Sequence, residues 1–547
     1  MSATIGINDL KFVIFGAGHD YTLADSGDGD VQIFSHPFVP LNSVNYAGQY
    51  YFLVPDENGD PMDAVKDDIA HCTFTPALGT AFDTEGETTV ECHYHREYVY
   101  AEETLVVDKT VSQTITVVNH GSVVNTVTYF DLYSDGYGFF RPSSVNTADY
   151  NIGLRGYGSV VKVSSLPWRV TVLGHNGYDF LDATHLTDVS ELQYADTSGV
   201  TLIHGFLRGC RYITSAMLAE AIGGWDMSNL QIIEQFAVYS TSFTDLSFME
   251  KWTCPNLYSL WQAFNSMTSI TSLHGLEHID FSHVVNMEQT FDDCRALTDL
   301  SAIANKDVSN VTTMNTCFNN CRFSNVDFLA DWKPTSLSDV RSMLKNCVNL
   351  LNVDGFINWQ PHLLEMRSMC QGCYSLVDVS GFANLDTSDV EDMRSIFEDC
   401  VRLISIDGLT WNTGNVKNYS RMFCNDHWLD DVDVLNSWDF SSAENTSEMF
   451  SGGSSLTDLT SLDLDLPNVS NMSSMFSSLP YLYVDELARY CYETAYWYVD
   501  YNGTEYSKLG LTEHYVQHDA TNAENWTVSI SGANAFNAEW NNTPSWN

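Results

Sequence analysis

Nowhere in its 547 residues does the chain hold the roughly 18 consecutive apolar residues that a membrane-spanning helix requires, so membrane insertion is not expected. Basic residues are scarce: Lys plus Arg number 24 against 71 Asp plus Glu, a net charge of −47. So acidic a surface repels phosphate backbones and anionic head groups, which excludes nucleic-acid binding and favours divalent cations or basic partners. The first residues, Met1-Ser-Ala-Thr-Ile-Gly-Ile-Asn-Asp-Leu-Lys11, lack the basic and apolar regions of a signal peptide. No Ser-His-Asp or Cys-His spacing can be assembled from the sixteen scattered His. The pair Cys370-Gln-Gly-Cys373 has no second Cys-x-x-Cys to complete a zinc site, and Gly16-Ala-Gly18 is too short for a nucleotide loop.

What the second half does contain is a repeat. With the residue aligned to Phe397 as anchor, the series runs Leu207, Ala237, Phe264, Phe291, Phe318, Leu344, Cys370, Phe397, Phe423, Phe450, Phe476, and by subtraction the steps are 26 or 27 residues except for a first step of 30. So small a drift means stacked units, because an insertion in the packed part would misalign every buried column. Seven and four residues before the anchor stand apolar columns such as Val390 and Met393, the i, i+3, i+7 stripe of a short amphipathic helix. Three residues after the anchor comes a column of Cys210, Cys294, Cys321, Cys347, Cys373 and Cys400, read as packed thiols. Six and nine residues after it come Leu-x-x-Leu pairs such as Leu376 and Val379, the spacing of a short strand.

The Asp-Thr-Ser-x-Val, Met-x-x-Met-Phe-x-x-Cys and Leu-x-x-Leu elements, best kept in Val390 to Asp407 and Asn471 to Leu482, resemble the BspA-like leucine-rich-repeat surface proteins, whose repeat also occurs in mycoplasma lipoproteins. The likeness covers roughly residues 186 to 482; the early copies depart from it, with Ser240 and Met267 in the Cys column. The resemblance implies an α/β leucine-rich-repeat solenoid and a role in binding rather than catalysis. Eight residues after the anchor stand Asp245, Ser272, Asp299, Asn352, Asp378, Ser405, Asp431 and Asp458. This polar column is the candidate ligand-binding face, suited to cations, sugars or a basic protein patch; a merely solvated strand face is the plain alternative.

Residues 1–185 alternate apolar and polar residues between Gly, Asp and Asn turns, notably Thr88 to Tyr100, Thr104 to Asn119 and Ser122 to Tyr133, with Asn119-His-Gly-Ser122 as a hairpin connection. An all-β sandwich or jelly-roll-like module is expected, serving as anchor or oligomerisation end. On a strand, Glu91, His93, His95 and Glu97 share a face and form a weak candidate metal comb. Asp56-Glu-Asn-Gly-Asp60 has acids at calcium-loop positions but Pro61 and Asp67 where Gly and Glu belong, and Asp25-Ser-Gly-Asp-Gly-Asp30 is a second acidic turn. No resident cofactor is expected, and Ca²⁺ is the one ion these turns would suit. After the repeats, Val484 to Ala495 reads as a helix and Asn525 to Ser531 as a strand, a C-terminal cap and tail over 483–547.

The organisation expected is therefore a β-rich domain over 1–185, about eleven repeat units over 186–482, and a cap. The function expected is non-enzymatic: a structural or adhesion protein recognising a protein or glycan on a host or cell surface, with homo-oligomers allowed. Without a signal peptide the first expectation is a phage or viral virion component of fibre, decoration or receptor-binding type, held to other virion proteins through the N-terminal domain. An exported bacterial cell-surface adhesin is the alternative, and a metal-dependent enzyme built on His93 and His95 the second.

Overall fold

A computed structural model describes almost all of residues 72–141, 159–166, 182–457 and 468–479, and elsewhere short segments, chiefly strands. The chain divides into two compact units, 1–229 and 230–547.

In the first unit, the alternating residues of Gly86–Tyr100 and Glu103–Val118 pair as one long antiparallel hairpin, β3 and β4, in register from Gly86 opposite Val117 to Tyr100 opposite Glu103. Cys72–Thr75 (β2) pairs antiparallel with β3, and Phe38–Pro40 (β1) parallel with β4. One face packs inward through Val90, Cys92, Ile115 and Val117. A second four-stranded sheet joins Val123–Val127 (β5), Phe130–Tyr133 (β6) and Tyr137–Phe140 (β7), all antiparallel, to Lys162–Val163 (β8), which runs parallel to β7. Asn119–Ser122 is consequently no hairpin connection: it joins β4 of one sheet to β5 of the other. The one α-helix among the described residues, α1 (Ser215–Ile222), starts at Thr214, whose hydroxyl accepts the Met217 N–H at 3.3 Å.

The second unit is a stack of coils, one per repeat. Single parallel bridges link each coil to the next at the residue five before the anchor, running Ile232, Ser259, Asn286, Thr313, Asp339, Glu365 and, further on, Asp392, Asn418, Asn445, Asn471. A second row of bridges lies eight after the anchor. The apolar columns are buried as their spacing implies: Val390, Met393, Phe397, Cys400, Leu403 and Ile406 all have no exposed surface.

Where the −7, −4, 0 stripe predicts a helix, the structure has none. In the coil of Phe264, the N–H groups of Leu260, Gln262, Phe264 and Ser266 leave their own coil and donate to the carbonyls of Asn286, Glu288, Thr290 and Asp292 in the next, at 2.7–2.9 Å. The intervening N–H groups of Ala263 and Asn265 turn back to the Leu260 and Gln262 carbonyls. This alternation needs left-handed backbone two residues before and two after the anchor, and Gln262 and Ser266 have φ of 53° and 57°. Thr316 with Asn320, Ser342 with Asn346, Ser395 with Asp399 and Arg421 with Asn425 repeat the pair. A helix cannot hold two left-handed residues within five, whereas this turn returns the same apolar residues to the interior.

Stacking gives each coil its core. Phe264, Phe291 and Phe318 lie face to face with centroids 5.7 and 5.6 Å apart, and Phe397, Phe423, Phe450 and Phe476 resume the ladder at 5.7–5.8 Å. Buried indoles run beside it, each donating Nε1–H to a carbonyl of the preceding coil: Trp332 to Ile303 at 2.9 Å, Trp359 to Leu329 and Trp411 to Phe382 at 3.0 Å. At the Leu-x-x-Leu spacing the described coils have single bridges in place of the expected strand, and just past it the backbones come so close that a Cβ on Gly355 or Gly381 would sit 1.9 or 2.0 Å from the carbonyl oxygen of Val326 or Val353. The unit ends on an antiparallel sheet in which Trp526–Ile530, the strand expected near 525–531, lies between His514–His518 and Phe536–Trp540.

Candidate functional site

The polar column eight after the anchor is a backbone device first. Asp299, Asp378 and Asp431 each accept the N–H two residues on, from Ser301, Ser380 and Asp433, at 2.8–3.0 Å, and so start the 3-10 turn that follows the strand. Asp245 and Asn352 serve Ser247 and Asp354 in the same way, while the Ser272 and Ser405 hydroxyls serve His274 and Asp407. Asp458 lies outside the described residues. The same turn chemistry recurs at two further columns, in Asp280, Asp307, Asp386 and Asp439 eleven before the anchor and in Asn286, Asp392 and Asn445 five before it. Part of the chain's acidity thus caps turns. Hydrogen bonds from Ser301, Ser309 and Ser441 hold the Asp299, Asp307 and Asp439 carboxyls below the ordinary carboxylate range, and the His362 imidazole, ahead of Ser388, does the same for Asp386.

Four successive coils each hold a large exposed apolar side chain that spacing did not single out. Leu351 and Ile404, seven after their anchors, are 46% and 42% exposed, and Tyr374 and Trp428 stand out at 47% and 54%. Arg402 lies over the Trp428 ring at 5.7 Å. Leu351 and Ile404 directly precede Asn352 and Ser405, which both bridge to Asp378, while Tyr374 and Trp428 stand four and five after their anchors, short of that row.

The Cys column is built into the stack. Each thiol donates to the anchor carbonyl of the preceding coil: Cys294 to Phe264, Cys321 to Phe291, Cys347 to Phe318, Cys373 to Leu344 and Cys400 to Cys370, at 3.1–3.3 Å. Eleven cysteines among the described residues are buried, and burial pushes the Cys294, Cys321, Cys347, Cys370 and Cys400 thiols far up.

In the first unit, Glu91, His93 and His95 share the exposed face of β3 as alternation requires; Cys92 faces inward. The two imidazoles stack at 6.5 Å, and His93 Nδ1 meets Thr110 Oγ1 at 2.9 Å. Among the described residues no three His, Cys, Asp or Glu converge to hold a metal ion. The acidic turns Asp25–Asp30 and Asp56–Asp60, with Asp67, and the expected helix 484–495 lie outside the described residues. Sequence reasoning missed a buried ionic group: Glu191, 5% exposed, accepts the Tyr137 hydroxyl at 2.8 Å and meets Lys162 Nζ at 3.0 Å, with His120 stacked on Tyr137 at 3.8 Å. Burial raises the Glu191 carboxyl against the pull of Lys162. Both carboxylate oxygens are partnered, and no spacing signal links residues 137, 162 and 191.

The repeat matches a family model three times, over residues 206–298, 258–379 and 364–485. The family is described as "Mycoplasma protein of unknown function, DUF285". Together the matches cover 206–485, which is 280 of 547 residues. The chain belongs to this family. DUF285 is the family of the BspA-type surface repeat, so the likeness carried by the Met-x-x-Met-Phe-x-x-Cys element holds at family level. The DUF285 description assigns no activity, and no curated protein matches the chain.

Proposed function

We propose that this DUF285 chain is a non-enzymatic recognition protein displayed on an outer surface, with a leucine-rich-repeat type stack presenting one side to its ligand. The exposed Leu351, Tyr374, Ile404 and Trp428 of four successive coils, two of them adjoining the bridging Asn352–Asp378–Ser405 row, carry the reading. Large apolar side chains held outward on a rigid ladder are costly to leave in water and mark contact surfaces. The interior supports the same view, since its thiols and indoles join one coil to the next and its turn carboxylates cap turns within each coil. The acidic surface favours ligands that are neutral or basic.

Two kinds of surface suit such a protein, a virion, with the first unit bound to other particle proteins, and a cell envelope. A family described from Mycoplasma favours the envelope. Antibodies against the coil region, applied to intact cells and purified particles of the source and read by immunogold electron microscopy, test both. Label on intact envelopes is expected; label on particles alone would return the protein to the virion, and label only inside lysed cells would overturn surface display.

A further inference from the structure

One coil breaks the pattern of its neighbours. Between the column Cys and the first strand residue most copies place two residues, as in Cys294-Arg-Ala-Leu297 and Cys347-Val-Asn-Leu350, but Cys321-Arg-Phe323 places one. The row of bridges stops where this happens: it joins Ser272 to Asp299 and resumes only at Asn352 with Asp378. A cleft of about 340 Å³ opens there between the coils of Phe291 and Phe318.

Its walls are apolar and its mouth is polar. Leu300 and Phe323 are 4% and 3% exposed, and Phe328 is half-buried. The Phe328 ring is wedged edge-on against Phe318, Phe323 and Trp332, with centroids at 5.5, 5.7 and 6.2 Å, so it cannot swing away to close the space. Thr298, Asn325 and Asp327 line the opening and are exposed. The Asn325 amide oxygen accepts the Asp327 N–H at 3.2 Å, which fixes the amide and leaves its NH₂ as a donor.

We propose that this cleft binds one ring of a neutral sugar, the C–H face against Phe328 and Leu300 and the hydroxyl edge against Thr298, Asn325 and Asp327. The size fits a small ligand. No Lys, Arg or His lines it, so an anion would meet Asp327 and a strongly acidic protein with nothing to balance its charge. A purely apolar ligand would gain nothing from the amide, hydroxyl and carboxylate at the rim. A pyranose has both kinds of surface in one rigid body, with little conformational entropy to lose. This rests on the recognition reading above and names the ligand class for one place on the stack.

The test uses the full chain on an array of neutral hexose, N-acetylhexosamine and deoxyhexose glycans, alongside lysine-rich peptides. Ser324→Trp, at an exposed lining position, fills the mouth, and Asp327→Ala removes one acceptor; circular dichroism melts confirm that each folds. Glycan binding by the wild type that weakens at least about tenfold in both variants, a loss of one good interaction, is the result expected. Binding unchanged in Ser324→Trp overturns the cleft while leaving surface recognition intact. So does binding confined to the lysine-rich peptides. Absence of all glycan binding overturns the sugar assignment, and surface display is then judged by the immunogold experiment alone.

Discussion

Asp426 stands in the Cys column, three after Phe423, fully buried and with neither carboxylate oxygen hydrogen-bonded. Burial first, then the neighbouring Asp399 and Glu398, raise its pKa well above 3.8. The sign follows from linkage: a carboxyl whose folded pKa exceeds its unfolded one contributes stability fully below the unfolded value, and loses it as pH climbs toward the folded value. Stability should therefore decline as pH rises from about 4 into the neutral range. Asp426→Asn should flatten that slope and be the more stable protein at pH 8 by about 1–3 kcal/mol. Urea unfolding of both proteins at pH 5 and pH 8 measures it; equal slopes with pH would mean that Asp426 is ionised and relieved by water. A column argument could have flagged Asp426, because every other polar residue found there, a thiol or the Ser240 hydroxyl, is uncharged.

At the scale of one coil, the spacing of apolar residues reported which side chains are inside but not which backbone carries them there. Val390, Met393 and Phe397 fit a helix and equally fit a turn with left-handed Ser395 and Asp399 at its two ends. The clue lay in the second of those positions, held by Asp293, Asn320, Asn346, Asp399, Asn425 and Gly372, residue types that tolerate left-handed backbone. The first is held by Gln262, Thr316, Ser342 and Arg421, which carry no such signal. In exchange each coil gains hydrogen bonds to the next, and an aromatic ring that rests on two others. Phe291, stacked on Phe264 and Phe318, is the case to test: Phe291→Ala should cost about 3–5 kcal/mol. Denaturant unfolding monitored by circular dichroism checks it, and a loss under about 1 kcal/mol would show that the stack collapses around the gap.

Across the whole molecule, a net charge of −47 and few cations to offset it set the energetics. Cross-coil pairs such as Arg421 with Glu398 and Glu448, or Lys417 with Glu391 at 2.8 Å, occupy some of those cations. The remaining acids repel over a Debye length of about 10 Å at 0.1 M salt and about 3 Å at 1 M. Raising NaCl over that range should lift Tm by a few degrees, read by calorimetry at pH 7. A Tm that stays flat or falls would mean that the turn carboxylates are already screened by the N–H groups they cap. The polar column eight after the anchor read as a ligand face or a solvated one and not as a set of caps, because an acceptor used by its own backbone and one offered to a ligand look alike in sequence.

The amino-acid sequence alone determined the period of the repeat, its buried columns, the long alternating strands of the first unit and the acidity of the surface, since each depends on residue type at fixed spacing. Only the tertiary structure decided that the stripe is a turn and not a helix, that Glu191 meets Lys162 and Tyr137, and that one missing residue after Arg322 opens a cleft. Those three depend on which atoms of distant residues meet: the Asp, Asn and Gly two after the anchor mark only one of the turn's two left-handed positions, and cross-coil distance leaves no periodic trace in the chain.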